Sequence, residues 1–225
     1  MAINVISAKT AGEAWVRALQ LVMTHGEDIK DKDAEFKANE SSGLREVRNV
    51  YIEIDSVDYN DPIIRKYEYL LKEYQDTPII KFLEGYYWTE GTNGYKIDRG
   101  YGQYIFNLNG VNQFDWLVQK LKDDPTSKSA TIVFPLRNWR GKKPPCITVI
   151  DFKLRNNVLD VTAIFRSQCA WWKAPGNFIA ISKHQQQIAT AIGAKVGKLY
   201  VNAISSHIYE PDYENANKVI NEVFK

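Results

Sequence analysis

The sequence predicts an α+β fold, in which a mixed β-sheet is flanked by helices within one domain over residues 1–225. Segments with apolar residues at helical spacing are interspersed with β-branched, strand-like segments, and no internal repeat is visible. The 225 residues are 44% hydrophobic and 25% charged. A chain of this length and composition buries one substantial core.

The first part of the chain predicts two helices, a strand and a charged loop. Apolar residues recur at helical spacing over Ala11–Met23, after Thr10 as a candidate N-cap. A charged loop over residues 27–42 leads to an alternating pattern at Val47–Ile54, which predicts a strand. Helical spacing returns at Ile63–Tyr74.

The rest of the chain predicts a loop followed by strands and helices in mixed order. Glycines and aromatic residues over 85–102 predict a long surface loop that closes on a site. Asn156-Asn157 is a candidate hairpin turn. The other predicted elements are helices at Val111–Lys122, Ala180–Ile192 and Asn215–Phe224, and strands at Ala130–Pro135, Ile147–Lys153, Val158–Phe165 and Leu199–Ile204.

Bulk properties favour a small or locally recognised partner. A net charge of +2 provides no basic field, which argues against nucleic acid and membrane surfaces as partners. Cys146 and Cys169 are expected to be free thiols in a reducing cytoplasm. His25 and His184 have no ligand partners at metal-binding spacing, so no metal site is predicted.

Cys146 is the strongest candidate for a reactive residue. It precedes the β-branched run Ile147–Ile150, and Arg166-Ser167 follow twenty residues later. Because only the thiolate attacks, a catalytic cysteine needs a nearby cation or hydrogen-bond donor, and Arg166 is the candidate. The competing interpretation is an inert core cysteine, which is the commoner case for a lone one.

Several short motifs occur in a fixed order between Gly100 and Ile220: Tyr101-Gly102, Asp124-Pro125-Thr126-Ser127, Pro145-Cys146, Asp151-Phe152-Lys153, Arg166-Ser167, Asn177 and Ser206-His207-Ile208-Tyr209-Glu210. On these motifs the chain resembles the thymidylate synthase family, and most closely its short archaeal branch. The resemblance implies that family's mixed sheet and a sheet-to-sheet homodimer. It also implies transfer of a one-carbon unit from 5,10-methylenetetrahydrofolate to C5 of a pyrimidine nucleotide, with methylation of dUMP to dTMP as the default.

The resemblance implies a role for each matched residue. Cys146 would add to C6 of the pyrimidine with Arg166 as its activator, and Tyr101 would help to remove the C5 proton. Glu68 would organise water and folate, although an alignment shifted by two positions would place Lys66 there. Asn177 would read the N3 and O4 edge of the ring, where an asparagine favours uracil. The sugar and phosphate would contact His207, Tyr209, Ser167, Arg45 and Lys128.

Departures from the family pattern concentrate at the phosphate and the folate. Lys128 and Ser129 stand where the family has two arginines that cross the dimer, so a bidentate fork becomes at most a point charge. Cys169 replaces the aspartate that binds the folate ring, and Trp172 is part of a crowded segment beside it. The sequence therefore predicts a nucleotide pocket that is largely intact, with a weaker or rearranged phosphate grip, and an altered folate pocket.

Three functions stay open at this stage. Methylation is the leading hypothesis, a pyrimidine nucleotide hydroxymethylase is the second, and a catalytically silent nucleotide-binding protein is the third. Retention of Cys146, Tyr101, Arg166 and Asn177 argues against the silent protein, because these four residues share no structural purpose. Tyr101 as simple surface cover and His207 as a buried, backbone-bonded histidine are the corresponding non-functional interpretations.

Overall fold

The computed structural model describes residues 4–30, 43–71, 78–88, 100–135 and 144–225. The described strands are β1 (Asn4–Thr10), β2 (Glu27–Lys30), β3 (Gly43–Ser56), β4 (Thr131–Val133), β5 (Ile147–Arg155), β6 (Val158–Phe165), β7 (Gln168–Cys169) and β8 (Lys195–Tyr209). The α-helices are α1 (Ala11–His25), α2 (Pro62–Tyr67), α3 (Ile79–Trp88), α4 (Tyr101–Asn107), α5 (Gln113–Asp123), α6 (Ala174–Ile192) and α7 (Tyr213–Val223). Within these residues no helix is both long enough and apolar enough to span a bilayer.

The strands form one mixed sheet in the order β1-β3-β8-β6-β5-β4, with β2 paired to β3 and β7 paired to β8. The β1–β3, β6–β8 and β7–β8 pairs are parallel, and the other pairs are antiparallel. Helices α1 and α6 pack on the sheet. The predicted α+β class with a mixed sheet and flanking helices is confirmed.

Helix α1 confirms the helix predicted for its segment, and it holds the chain that precedes α6. The side chain of Thr10 accepts a hydrogen bond from the Glu13 N–H and caps the helix. Fully buried Trp15 donates from Nε1 to the carbonyl oxygens of Ala170 and Trp171, at 3.0 and 2.9 Å. These bonds fix the turn that leads into α6.

Helices α3 and α6 pack closely because Gly176 has no side chain. A Cβ at that position would come within 2.6 Å of Leu83 Cδ1 and 3.4 Å of the Ile79 carbonyl oxygen. Pro175 is accommodated in the first turn of α6, where its missing N–H is no loss, and Gly193 ends the helix with φ of 71°. The prediction placed the start of this helix at Ala180, because Pro175-Gly176 interrupts the helical pattern.

The predicted loop over 85–102 is wrong at both ends. Helix α3 continues through Gly85 to Trp88, and Tyr101 begins α4; residues 89–99 lie outside the described part. Apolar Ile79, Ile80, Leu83 and Tyr87 are buried along one stripe, so tertiary burial outweighs the low helix propensity of a single glycine.

Other elements differ in extent. The predicted helix from Ile63 ends as an α-helix at Tyr67, and one 3₁₀ turn over 68–70 follows. Residues 27–30 of the predicted charged loop pair with β3 as a strand, whereas 31–42 lie outside the described residues. Strand β1 was not predicted; it is an exposed-edge strand paired in parallel with β3.

The alternation of buried and exposed side chains is interrupted at neighbouring positions of β3 and β8. In β3 the buried residues are at even positions after Asn49, namely Val50, Ile52 and Ile54, whereas the nearest buried residue before Asn49 is Val47, at an odd position. Asn49 itself has φ of 56°. Strand β8 shows the same shift between Ala203 and Ser206. Side chains beyond this level, including those at the end of β8, therefore point to the opposite face from the one that a continuous alternation would give.

Candidate active site

The β5–β6 hairpin brings Cys146 and Arg166 together. Asn156 and Asn157 both have positive φ, 50° and 61°, as the predicted two-residue turn requires. At the open end Ile147 pairs with Phe165, so Cys146 and Arg166 lie just outside this pair. The Arg166 N–H donates to the Cys146 carbonyl oxygen at 2.8 Å, and Nη2 donates to Sγ at 3.9 Å.

The Arg166 guanidinium is held in place by two carbonyl groups. Nε donates to the Pro145 oxygen at 3.0 Å, and Nη2 donates to the Pro144 oxygen at 2.7 Å. Cys146 is partly exposed. A cation fixed beside an accessible sulfur stabilises negative charge there, which is the condition for a nucleophilic cysteine.

Tyr101 lies against the same strand end. Its hydroxyl oxygen accepts a hydrogen bond from the Ile147 N–H at 3.4 Å, and its ring packs edge-on against Tyr86, Tyr87 and Phe134. Burial raises the pKa of Tyr101 well above its ordinary value, and negative charge on Cys146 raises it further. The phenol is therefore neutral and close enough to the thiol to sense its charge.

Asn177 is buried near the start of α6 and faces α3. The Tyr87 hydroxyl donates to Asn177 Oδ1 at 3.2 Å. Burial raises the pKa of Tyr87 well above its ordinary value, and the charge on Cys146 again contributes. Tyr87 thus connects Asn177 with the residues around Cys146. The sequence gives no sign of this role, because the glycines near Tyr87 predict a loop.

His207 and Tyr209 lie at the end of β8 on one face of the strand. Their ring centroids are 5.0 Å apart in an edge-to-face arrangement. Cys169 of β7 pairs beside His207, and the Ala170 N–H donates to the His207 carbonyl oxygen at 2.8 Å. Ser167 lies in the bend between β6 and β7, so the chain runs directly from Arg166 to this strand end.

The two candidate phosphate cations away from the hairpin differ. Arg45 is engaged on β3: Nε and Nη2 donate to the two Asp28 carboxylate oxygens at 2.7 and 2.9 Å, Nη1 donates to the Met23 carbonyl oxygen, and the guanidinium lies 4.9 Å from the Tyr213 ring centroid. Lys128 is exposed in the segment between α5 and β4. Lys128 is thus accessible, whereas Arg45 would have to exchange its partners.

Glu68 lies in the 3₁₀ turn after α2. Its Oε2 accepts a hydrogen bond from Arg65 Nη1 at 2.7 Å. Among the described residues, no contact of Glu68 with Cys146 or Arg166 is seen.

A second carboxylate, Glu84, lies on α3 three residues before Tyr87, which places both on one helix face. Lys183 Nζ donates to Glu84 Oε1 at 3.0 Å, and the Tyr59 hydroxyl donates to Oε2 at 3.4 Å. The helical spacing of the apolar residues of α3 was the sequence signal that could have placed Glu84 on a helix, three residues before Tyr87.

Cys169 and Trp172, the two residues expected at the folate, differ in their exposure to solvent. Cys169 is buried, and burial raises the pKa of its thiol to about 12, so it is a neutral group. Trp172 is partly exposed and carries the Lys173 ammonium 4.5 Å from its ring centroid. The described part of the chain contains no cluster of three or more His, Cys, Asp or Glu residues that could hold a metal ion.

Comparison with known proteins gives one family throughout. Residues 57–224 match the family model described as thymidylate synthase. A protein of Methanosarcina barkeri, named "Putative thymidylate synthase", is 30% identical over 98% of this chain and 96% of its own length. Proteins with the same name from Methanosarcina mazei and Methanothermobacter marburgensis are 29% and 26% identical, each over 96% of this chain and over 94% and 97% of their own lengths.

Proposed function

Because this chain belongs to the thymidylate synthase family, we propose that it transfers a one-carbon unit to C5 of a pyrimidine nucleotide, and that its reaction is the methylation of dUMP to dTMP. The observation that carries the proposal is the contact between Arg166 and the accessible Cys146 thiol, with Tyr101 beside it. These residues match the needs of a covalent addition to a pyrimidine ring.

The first step is attack of the Cys146 thiolate on C6. A C6–S bond forms, and the electron pair of the C5–C6 double bond moves towards O4, which makes C5 nucleophilic. Arg166 stabilises the sulfur anion before attack. The developing charge at O4 needs a preorganised donor, and the Asn177 amide on α6 supplies one.

The later steps require removal of the C5 proton and expulsion of the sulfur. Tyr101 is neutral, because burial raises its pKa, so it acts by holding or relaying a proton rather than as a phenolate. As the C6–S bond breaks, the leaving sulfur again carries the charge that Arg166 stabilises. His207 and Tyr209 are assigned to the sugar, and Arg166, Ser167 and Lys128 to the phosphate.

Of the proposed ligands, the one-carbon donor has the poorest match with the residues expected to bind it. A reduced folate would supply the carbon as a methylene group together with the electrons that make it a methyl group. Cys169, a neutral buried thiol, cannot make the paired charged contact with a pterin ring that a carboxylate makes. We keep 5,10-methylenetetrahydrofolate as the proposed co-substrate, held mainly by aromatic contact with Trp172. Because the reaction needs a reduced thiol, we place it in the cytoplasm.

The active unit is proposed to be a homodimer formed by the open face of the sheet. One row of paired residues crosses six strands on this face and is apolar except for a single asparagine: Val133, Val149, Ile164, Asn202, Tyr51 and Val5. Val133 and Val5 are 41% and 64% exposed. An exposed apolar row of this length indicates an interface, and a second copy of the chain is its proposed occupant.

Replacing Ile164 by lysine is expected to separate the dimer, because the charge would be buried at the centre of the paired sheets. Sedimentation equilibrium should show a dimeric wild type and a monomeric Ile164→Lys variant at micromolar concentration. Val111→Lys is the control, since Val111 is 51% exposed but lies outside the sheet. A monomeric wild type would contradict the proposed assembly.

We assign the acidic role at the site to Glu84 in preference to Glu68. Glu84 shares a helix face with Tyr87, whereas Glu68 is paired with Arg65 in a separate turn. The Glu84→Gln variant is expected to lose about a hundredfold in turnover, which is typical of a lost general acid or base. Glu68→Gln should change turnover less than about threefold. If Glu68→Gln lost more turnover than Glu84→Gln, the acidic role would belong to Glu68.

Release of tritium from 5-tritiated dUMP tests the proposed function. We expect release by the wild type, and stronger release with methylenetetrahydrofolate. A hydroxymethylated product would identify the second reaction considered for this chain. Binding of dUMP without any release, with or without the folate, would instead identify a silent nucleotide-binding protein and overturn the proposal.

A further inference from the structure

The hydrogen bond between Tyr87 and Asn177 lies in a closed environment. Tyr87 is 0% exposed and Asn177 is 4% exposed, and the hydroxyl donates to Oδ1 at 3.2 Å. The two residues belong to α3 and α6, which are held together at the close approach of Gly176 to Leu83. Neither side chain can easily move to find another partner.

The Tyr87 hydroxyl constrains which way the Asn177 amide faces. A buried phenol stays neutral, so it carries a proton that needs an acceptor, and Oδ1 is the acceptor seen among the described residues. If the amide rotated by half a turn, Nδ2 would face the phenol oxygen and the phenol proton would lose its acceptor. Leaving such a donor unsatisfied in a buried site disfavours the rotated form by about tenfold or more.

Amide orientation decides which pyrimidine is read. Uracil has a donor at N3 and an acceptor at position 4, whereas cytosine has an acceptor at N3 and a donor at position 4. An asparagine amide can pair with either ring, but only by exchanging the positions of its oxygen and its nitrogen. A site that holds the amide in one orientation therefore accepts one base and leaves unpaired groups against the other.

We propose that Tyr87 is a specificity-determining positioning residue, which holds the Asn177 amide in the orientation that pairs with uracil and so excludes cytosine. The inference rests on the proposed function, in which Asn177 contacts the pyrimidine edge. Tyr87 acts through Asn177 and need not touch the nucleotide. Discrimination therefore depends on the hydroxyl of Tyr87 rather than on the size of its ring.

The test measures binding of dUMP and of dCMP to the full chain by calorimetry. We expect the wild type to prefer dUMP, and Tyr87→Phe to lower the dUMP-to-dCMP affinity ratio by about tenfold or more, since the amide is then free to rotate. Tyr67→Phe is the matched control. It removes another buried tyrosine hydroxyl, which donates to Glu222 Oε2 at 2.9 Å, and should leave the ratio unchanged.

A second background separates orientation from a general weakening of the site. In Asn177→Ala there is no amide for Tyr87 to orient, so adding Tyr87→Phe should change the ratio by less than about twofold. An equal fall of the ratio in both backgrounds would overturn the inference. A wild type that prefers dUMP, with a ratio that Tyr87→Phe does not alter, would overturn it while leaving the proposed function intact. A wild type that binds neither nucleotide would refute both.

Neutron diffraction from wild-type crystals provides a measurement that does not depend on folding of a variant. The expected result is a deuteron on Tyr87 Oη directed at Asn177 Oδ1. A density in which Nδ2 donates to Oη would overturn the inference.

Discussion

Cys146→Ser is expected to lower tritium release from 5-tritiated dUMP by about a thousandfold or more. A serine hydroxyl is almost fully protonated near neutral pH, and the single N–H that Arg166 directs at this position is too weak an influence to ionise it. Without an anion at this position no bond to C6 forms, and C5 does not become acidic enough to exchange. The effect should therefore appear in the chemical step.

The same variant should still bind the nucleotide. In the proposed function, nucleotide binding depends on Asn177, on His207 and Tyr209 at the end of β8, and on Arg166, and this variant alters none of them. Calorimetric titration with dUMP is the control, and its dissociation constant should stay within about tenfold of the wild-type value. Release at the wild-type rate by Cys146→Ser would mean that another group attacks C6, and would remove the covalent mechanism.

The pairing of Cys146 with Arg166 could be predicted because it depends on local structure alone. Two alternating segments joined by Asn156-Asn157 make a hairpin, and a hairpin places residues on either side of its open end next to each other. The spacing of twenty residues between Cys146 and Arg166 fits this arrangement. Family motifs were needed only to propose which chemistry the pair performs.

The surroundings of the pair could not be predicted in the same way. Tyr87 meets Asn177 because α3 packs against α6, a long-range contact that depends on Gly176 rather than on the pattern of α3. The engagement of Arg45 by Asp28 likewise depends on pairing between β2 and β3. Periodicity indicates which face of an element is buried, but it does not say which element covers it.

His184 should make the protein less stable as the pH falls. It lies on α6 with 0% exposure and is stacked on Trp88 at a centroid distance of 4.0 Å. Burial lowers the pKa of this imidazole from 6.5 to about 3. The ring is therefore neutral when folded and takes up a proton on unfolding at any pH between these values.

Proton linkage determines the direction in which the free energy of unfolding changes with pH. Below pH 6.5 the unfolded chain binds a proton that the folded chain excludes, so the free energy of unfolding falls as the pH decreases and stops falling near pH 3. At pH 5 the loss from His184 alone is about 2 kcal/mol relative to pH 7.5. This contribution is in addition to that of any carboxylates that titrate over the same range.

The His184→Phe variant isolates this contribution, because an aromatic ring is kept against Trp88 while the titrating group is removed. Urea unfolding between pH 7.5 and 5 should show a decline about 2 kcal/mol smaller in the variant than in the wild type. Exposed His25→Gln is the matched control and should decline with the wild type. If wild type and His184→Phe declined equally, His184 would have to be accepting its proton in the folded state. The Tyr87 backbone, which already opposes the lowering of this pKa, would then be the partner that stabilises the protonated ring.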